Sequence, residues 1–123
     1  MNHNATSIRP FIGSKNFEIS RSFYKDLGFE ETILEPKLSV FQSGKLSFYL
    51  QDSYVEEWIN NTMIFMEVDD VSRFWDDLIK LDLSSKYENI RLEPIRHRLW
   101  GKECFVHDPS GILWHFGEFT PVC

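Results

Sequence analysis

Met63-Ile64-Phe65-Met66-Glu67-Val68-Asp69-Asp70-Val71 opens a stretch that runs to Leu81, and its reading decides the fold. Met63 to Val68 is apolar except for Glu67, the pattern of a strand. Asp70 then stands where a helix N-cap belongs, and Val71, Phe74, Trp75, Leu78 and Leu81 recur at helical spacing. A strand hands over to an amphipathic helix. Sliding the first half of the chain forward by 54 places Phe11 on Phe65, Ile12 on Met66, Asn16 on Asp70, Phe17 on Val71, Leu27 on Leu81 and Phe29 on Leu83. The same start therefore occurs twice, and the chain reads as an internal repeat.

Outward from that start, the first copy opens with a short strand at Ile8 to Ile12. A helix follows, capped by Asn16 and carrying Ile19, Phe23 and Leu27 on one face, with Gly28 at its C-cap. Three β-like runs come next, at Glu30 to Leu34, Leu38 to Gln42 and Leu46 to Gln51, punctuated by Pro36 and Ser43-Gly44. The second copy ends in the same way. Its runs are Ile90 to Ile95, Glu103 to His107 and Ile112 to Phe116, the last entered through the turn Asp108-Pro109-Ser110-Gly111. The expected fold is α+β, two tandem β-α-β-β-β modules. Module one covers about 7–51, a linker 52–61 and module two about 62–119, within a single domain over 1–123. In the linker, Tyr54, Val55 and Trp58 recur at helical spacing, which predicts a helical or irregular segment that packs Trp58 inward.

Composition excludes several functions. Thirteen Lys and Arg against 19 Asp and Glu give a net charge of −6, leaving no source for the phosphate neutralisation that nucleic-acid binding needs. No apolar run approaches the length of a membrane span, and the N-terminus lacks the basic and apolar regions of a secretory signal, so a cytoplasmic protein is expected. Cys104 and Cys123 match no zinc spacing and no disulfide framework; Cys104 reads as a buried small hydrophobe and Cys123 as a tail thiol. Gly-rich phosphate loops, nucleophile elbows and CxxC pairs are missing from the sequence. Aromatic residues, at 15 %, exceed what a small core requires, so some rings are expected to line a cavity or an interface.

Phe23-Tyr24 with Leu27-Gly28-Phe29, Val68-Asp69-Asp70-Val71, and Asp108-Pro109-Ser110-Gly111-Ile112-Leu113-Trp114 together resemble the glyoxalase, bleomycin-resistance and extradiol-dioxygenase superfamily, also called the vicinal oxygen chelate superfamily. The resemblance spans nearly the whole chain. It implies a cup of curled mixed sheet with helices outside and a ligand groove inside, often completed across a dimer. It also implies four inward positions, which metal-dependent members fill with His and Glu, and these fall here on Arg9, Tyr49, Met63 and His115. Of these side chains His115 alone is a usual metal ligand, so neither a metal nor another cofactor is expected. Trp100-Gly101 and His115 resemble elements of the bleomycin-resistance branch, which encloses a flat drug between aromatic walls.

The residues themselves support that reading. Alternation turns His115 one way and Trp114 and Phe116 the other, and Tyr49 likewise alternates against Phe48 and Leu50. Met63 and Phe65 share a face with Glu67, giving a soft apolar wall. Arg9 is expected to meet Glu67 on a paired strand or an anionic ligand, and His97, within Arg96-His97-Arg98, to lie in a solvated loop or at a groove mouth. The candidate ligand-binding set is therefore Tyr49, Met63, Phe65, Trp100, His115, Arg9 and His97, with no catalytic or metal residues assigned. The function expected is a cytoplasmic homodimer that sequesters a planar or aromatic organic molecule, with neither nucleic acid nor membrane as partner. The competing expectation is a lyase, isomerase or dioxygenase with an atypical metal or acid–base site.

Overall fold

The computed structural model describes residues 1–121 and contains two mixed four-stranded sheets of the same strand order. Strand β1 (Phe11–Ile12) leads into helix α1 (Phe17–Asp26) and then β2 (Glu30–Glu35), β3 (Leu38–Ser43) and β4 (Leu46–Gln51). The short helix α2 (Glu56–Asn60) connects to β5 (Met63–Glu67), α3 (Val71–Lys80) and the single turn α4 (Leu83–Lys86). Strands β6 (Arg91–His97), β7 (Gly101–His107) and β8 (Leu113–Phe119) complete the second half. The sheets run β1-β4-β3-β2 and β5-β8-β7-β6. In each, the first strand pairs parallel with the fourth and the remaining pairs are antiparallel.

The sequence repeat is thus a structural one. Helices α1 and α3 are each 10 residues long, and their starts at Phe17 and Val71 reproduce the offset of the slide. Both are capped as expected: Asn16 Oδ1 accepts the Ile19 N–H at 3.1 Å and Asp70 Oδ1 the Arg73 N–H at 3.0 Å, satisfying donors that the first turn leaves free. Gly28 follows α1 at φ +105°, a left-handed conformation that favours glycine.

Side chains, not strand pairing, join the halves. Trp114 on β8 packs at 5.2 Å from Phe48 on β4 and 5.9 Å from Phe29, so the helix-covered faces of both sheets share one core. Within it the Tyr24 hydroxyl of α1 donates to Asp108 Oδ2 at 2.5 Å and accepts the Trp114 indole N–H at 2.9 Å. The other Asp108 oxygen accepts the backbone N–H groups of Ser110, Gly111 and Ile112. The Asp-Pro-Ser-Gly turn of one half is in this way fastened to the helix of the other. Cys104 is buried in the same core, which pushes its thiol up to about 11. Cys123 lies outside the described residues.

Some boundaries differ from the expectation. Strand β1 begins at Phe11, and Ile8 is 95 % exposed, because the chain before Pro10 has no strand beside it. Trp58 does not pack inward: it is 72 % exposed, while its neighbour Ile59 is 2 % exposed. A one-turn helix offers a single inward position, and Ile59 occupies it against Gly13 and Gly111. Among the described residues no helix is long and apolar enough to cross a membrane.

Candidate functional site

Since α1 and α3 cover one face of each sheet, alternation decides what the other face presents. On β4 Phe48 and Leu50 are buried in the core and Tyr49 looks out; on β8 Trp114 and Phe116 are buried and His115 looks out. In the parallel registers Phe11 lies opposite Tyr49 and Phe65 opposite His115, so the two open faces carry corresponding pairs.

The second open face holds the denser chemistry. Phe105 on β7 lies opposite His115 and Glu103 opposite Gly117. His115 Nδ1 is 2.9 Å from Glu103 Oε1, and Arg98 Nε donates to Glu103 Oε2 at 2.8 Å. Glu103 is only 5 % exposed. Burial alone pushes its carboxyl up, but the hydrogen bonds and charges of His115 and Arg98 outweigh burial and hold it below the usual carboxylate range. The guanidinium groups of Arg96 and Arg98 lie 5.7 and 5.9 Å from the centre of the Phe105 ring, within cation–π range.

Beside this polar pair is an aromatic platform. Phe65, Trp100 and Phe119 form a triangle with ring centres 5.0–5.8 Å apart, and Phe65 and Phe119 are exposed. Gly117 makes room for it. A Cβ there would run into Phe65 Cζ and stand 3.2 Å from Trp100 Cη2, so the rings lie directly on the sheet. Gly101 serves the backbone instead: its added Cβ would meet the Glu118 carbonyl, so it lets β7 and β8 approach.

The candidate residues from sequence separate into groups. Phe65, Trp100 and His115 come together, with Phe65 stacked 6.4 Å from His115. Arg9 and Tyr49 meet on the other sheet, where the Arg9 guanidinium donates to the Tyr49 hydroxyl at 3.3 Å and Phe11 stacks on Tyr49 at 4.5 Å. Among the described residues Arg9 forms no ion pair with its expected partner Glu67; β1 pairs with β4, and β5, which carries Glu67, pairs with β8. Met63 starts β5, 65 % exposed, in a hollow with Asn60, His107 and Leu113. His97 pairs with Lys102, whose ammonium reaches Ser72 on α3, which places His97 on the helix side, away from the platform. Sequence reading missed Glu103, Phe105, Gly117 and Phe119. Alternation about buried Cys104 and Phe116 was the available signal for all four.

These residues do not fit a divalent ion. Arg9 is a permanent cation bonded to Tyr49, Met63 offers a soft thioether, and His115 is engaged with Glu103. Among the described residues no three His, Cys, Asp or Glu side chains cluster so as to hold a metal.

A groove of about 310 Å³ runs between Leu46-Ser47-Phe48 of β4 and Ile64 to Glu67 of β5, floored by Phe29 and Trp114. A larger hollow of about 700 Å³ lies by the first turn of α1, among Lys15, Glu18, Tyr87 and Ser110, remote from the aromatic platform.

No family model matches the sequence, and no curated protein matches it. Solved structures do match. The bleomycin-binding protein of Streptomyces verticillus, determined with copper(II)-bleomycin, superposes with a TM-score of 0.80 at 19 % identity, covering 98 % of this chain and 100 % of its own. The fold is that of the vicinal oxygen chelate superfamily. Two further structures of this fold show its range. The lactoylglutathione lyase of Agrobacterium tumefaciens matches with a TM-score of 0.71 at 18 % identity, over 94 % of this chain and 96 % of its own. The genomically encoded fosfomycin resistance protein of Listeria monocytogenes matches with a TM-score of 0.74 at 14 % identity, over 96 % of each chain. At these identities the vicinal oxygen chelate likeness fixes architecture, and function rests on the side chains of this chain.

Proposed function

We propose that the protein binds a small planar or aromatic organic molecule and sequesters it unchanged, without a metal. The carrying observation is the uncovered platform of Phe65, Trp100 and Phe119 beside the pair of buried Glu103 and half-buried His115. Rings exposed in this way offer stacking area, and the polar pair fixes orientation, the usual division of labour in a ligand site. The bleomycin-binding protein of like fold supports an antibiotic as the ligand type. Both sheets present an open face, so a second copy of the chain is the natural cover, and the groove is proposed to be completed in a cytoplasmic homodimer. Protection then follows from mass action: the protein must be abundant and the complex tight.

Titration of the wild type and Trp100→Ala with a panel of flat heteroaromatic antibiotics, bleomycin included, tests this reading. Sedimentation should give twice the 14.6 kDa chain mass. A panel member should bind, and Trp100→Ala should weaken it about tenfold by removing a stacking partner. Equal affinity of the variant, or no binding across the panel, would sink the proposal. A second reading, acid–base catalysis, is favoured by the His–carboxylate pair; a new product in the ligand-bound mixture would select it.

A further inference from the structure

The two open faces correspond position by position, and their difference is informative. Through the β3–β4 and β7–β8 registers, Tyr49 answers to His115, Val40 to Phe105, Gln51 to Gly117 and Leu38 to Glu103. Each half keeps a phenylalanine beside its central residue, Phe11 or Phe65. The first face has no carboxylate at the place of Glu103. A buried acid is costly unless paired, so its presence at this position of one open face and not of the other calls for a local reason.

The geometry supplies that reason. One Glu103 oxygen accepts from Arg98 Nε, and the other is 2.9 Å from His115 Nδ1. An ionised carboxylate only accepts hydrogen bonds, so Nδ1 must carry the proton, and in a neutral ring the other nitrogen is then an acceptor. His115 Nε2 has no hydrogen-bond partner among the described residues and is not buried, unlike Nε2 of His107. The imidazole that carries it lies stacked 6.4 Å from the Phe65 ring. We infer that Glu103 is a positioning residue that fixes His115 in its Nδ1–H form, so that the site selects planar molecules presenting an N–H or O–H at the ring edge. The ligand class in this statement rests on the planar-ligand reading above; the tautomer rests on the hydrogen bonds alone.

Glu103→Gln makes the inference testable. Arg98 can only donate, so it draws the amide oxygen and leaves the amide N–H₂ facing Nδ1, which must then accept. The proton moves to Nε2 and the preference of the site inverts. The experiment uses full-length protein labelled with ¹⁵N-histidine in alkaline buffer, read by long-range ¹H–¹⁵N correlation. Two bicyclic probes of similar size are then titrated: indole, which carries an N–H donor, and isoquinoline, which carries a ring-nitrogen acceptor. The expected result is Nδ1–H in the wild type and Nε2–H in Glu103→Gln. Indole should bind the wild type about fivefold more tightly than isoquinoline, with the order reversed in the variant. An Nε2–H ring in the wild type, needing no variant to observe, overturns the positioning role, as does an unchanged tautomer in a folded Glu103→Gln. Equal affinities of the two probes overturn the ligand class. If the tautomers behave as expected but neither probe shifts the Trp100 or Phe65 signals at millimolar concentration, the planar-ligand reading fails while the role of Glu103 stands.

Discussion

Gly117 and Gly101 are both closed to a methyl group, yet for different reasons, and the difference predicts different phenotypes. At Gly117 the obstacle is the tip of the Phe65 ring, which can swing away. Gly117→Ala should therefore change stability by less than about 1 kcal/mol while displacing the platform and weakening ligand binding. At Gly101 the obstacle is the Glu118 carbonyl, part of the β7–β8 ladder, so Gly101→Ala should cost about 1–3 kcal/mol or more. Chemical denaturation paired with ligand titration separates the two, and a Gly117→Ala protein that binds normally would remove the platform from the site. The outward direction of His115 and Tyr49 was legible in the sequence, because alternation within one strand is a local property. Its contact with Glu103 was not, because that depends on how β7 and β8 register across the turn at Asp108.

At the scale of elements, helices were more readable than strands. Caps at Asn16 and Asp70 and the apolar period between them placed both helix starts. Strand ends depend on what lies alongside. Gly101 and Phe119 pair and so lengthen β7 and β8, whereas the chain before Pro10 has no strand beside it and β1 stops short. Trp58 was misplaced for a related reason: in a helix of a single turn, spacing cannot fix which side faces the core. The caps themselves yield a prediction. Asn16→Ala and Asp70→Ala should each destabilise by about 1 kcal/mol. Because the two caps belong to separate helices, the double variant should lose the sum to within about 0.5 kcal/mol in urea denaturation. A marked departure from additivity would show that the helices are coupled more tightly than their separate caps suggest.

At the scale of the molecule, the hydroxyl of Tyr24 is the fully buried polar fastening between the halves, beside the less buried bonds of Ser110 to Lys15 and Ser20 and of Tyr87 to Ser22 and Asp26. It lies in a fully buried side chain and serves Asp108 and Trp114 together. Tyr24→Phe leaves a buried carboxylate oxygen and a buried indole N–H each short of a partner, at a cost of about 2–4 kcal/mol. Circular dichroism and tryptophan fluorescence should follow one unfolding transition in the wild type, and in the variant that transition should move to lower urea. A shift within the error of the measurement would mean that ring packing and the less buried bonds of Ser110 and Tyr87 suffice to hold the halves together. The shared core also divides the four indoles by surroundings: Trp114 is 2 % exposed, Trp75 and Trp100 are half-buried, and Trp58 is 72 % exposed. Trp58 therefore emits as an indole bathed in water, at the red end of the spectrum, and gives a steady background. Against that background, loss of the bluer emission when a flat molecule stacks on the platform reports on Trp100, the indole of the platform, while collisional quenching of Trp58 shows at the red end.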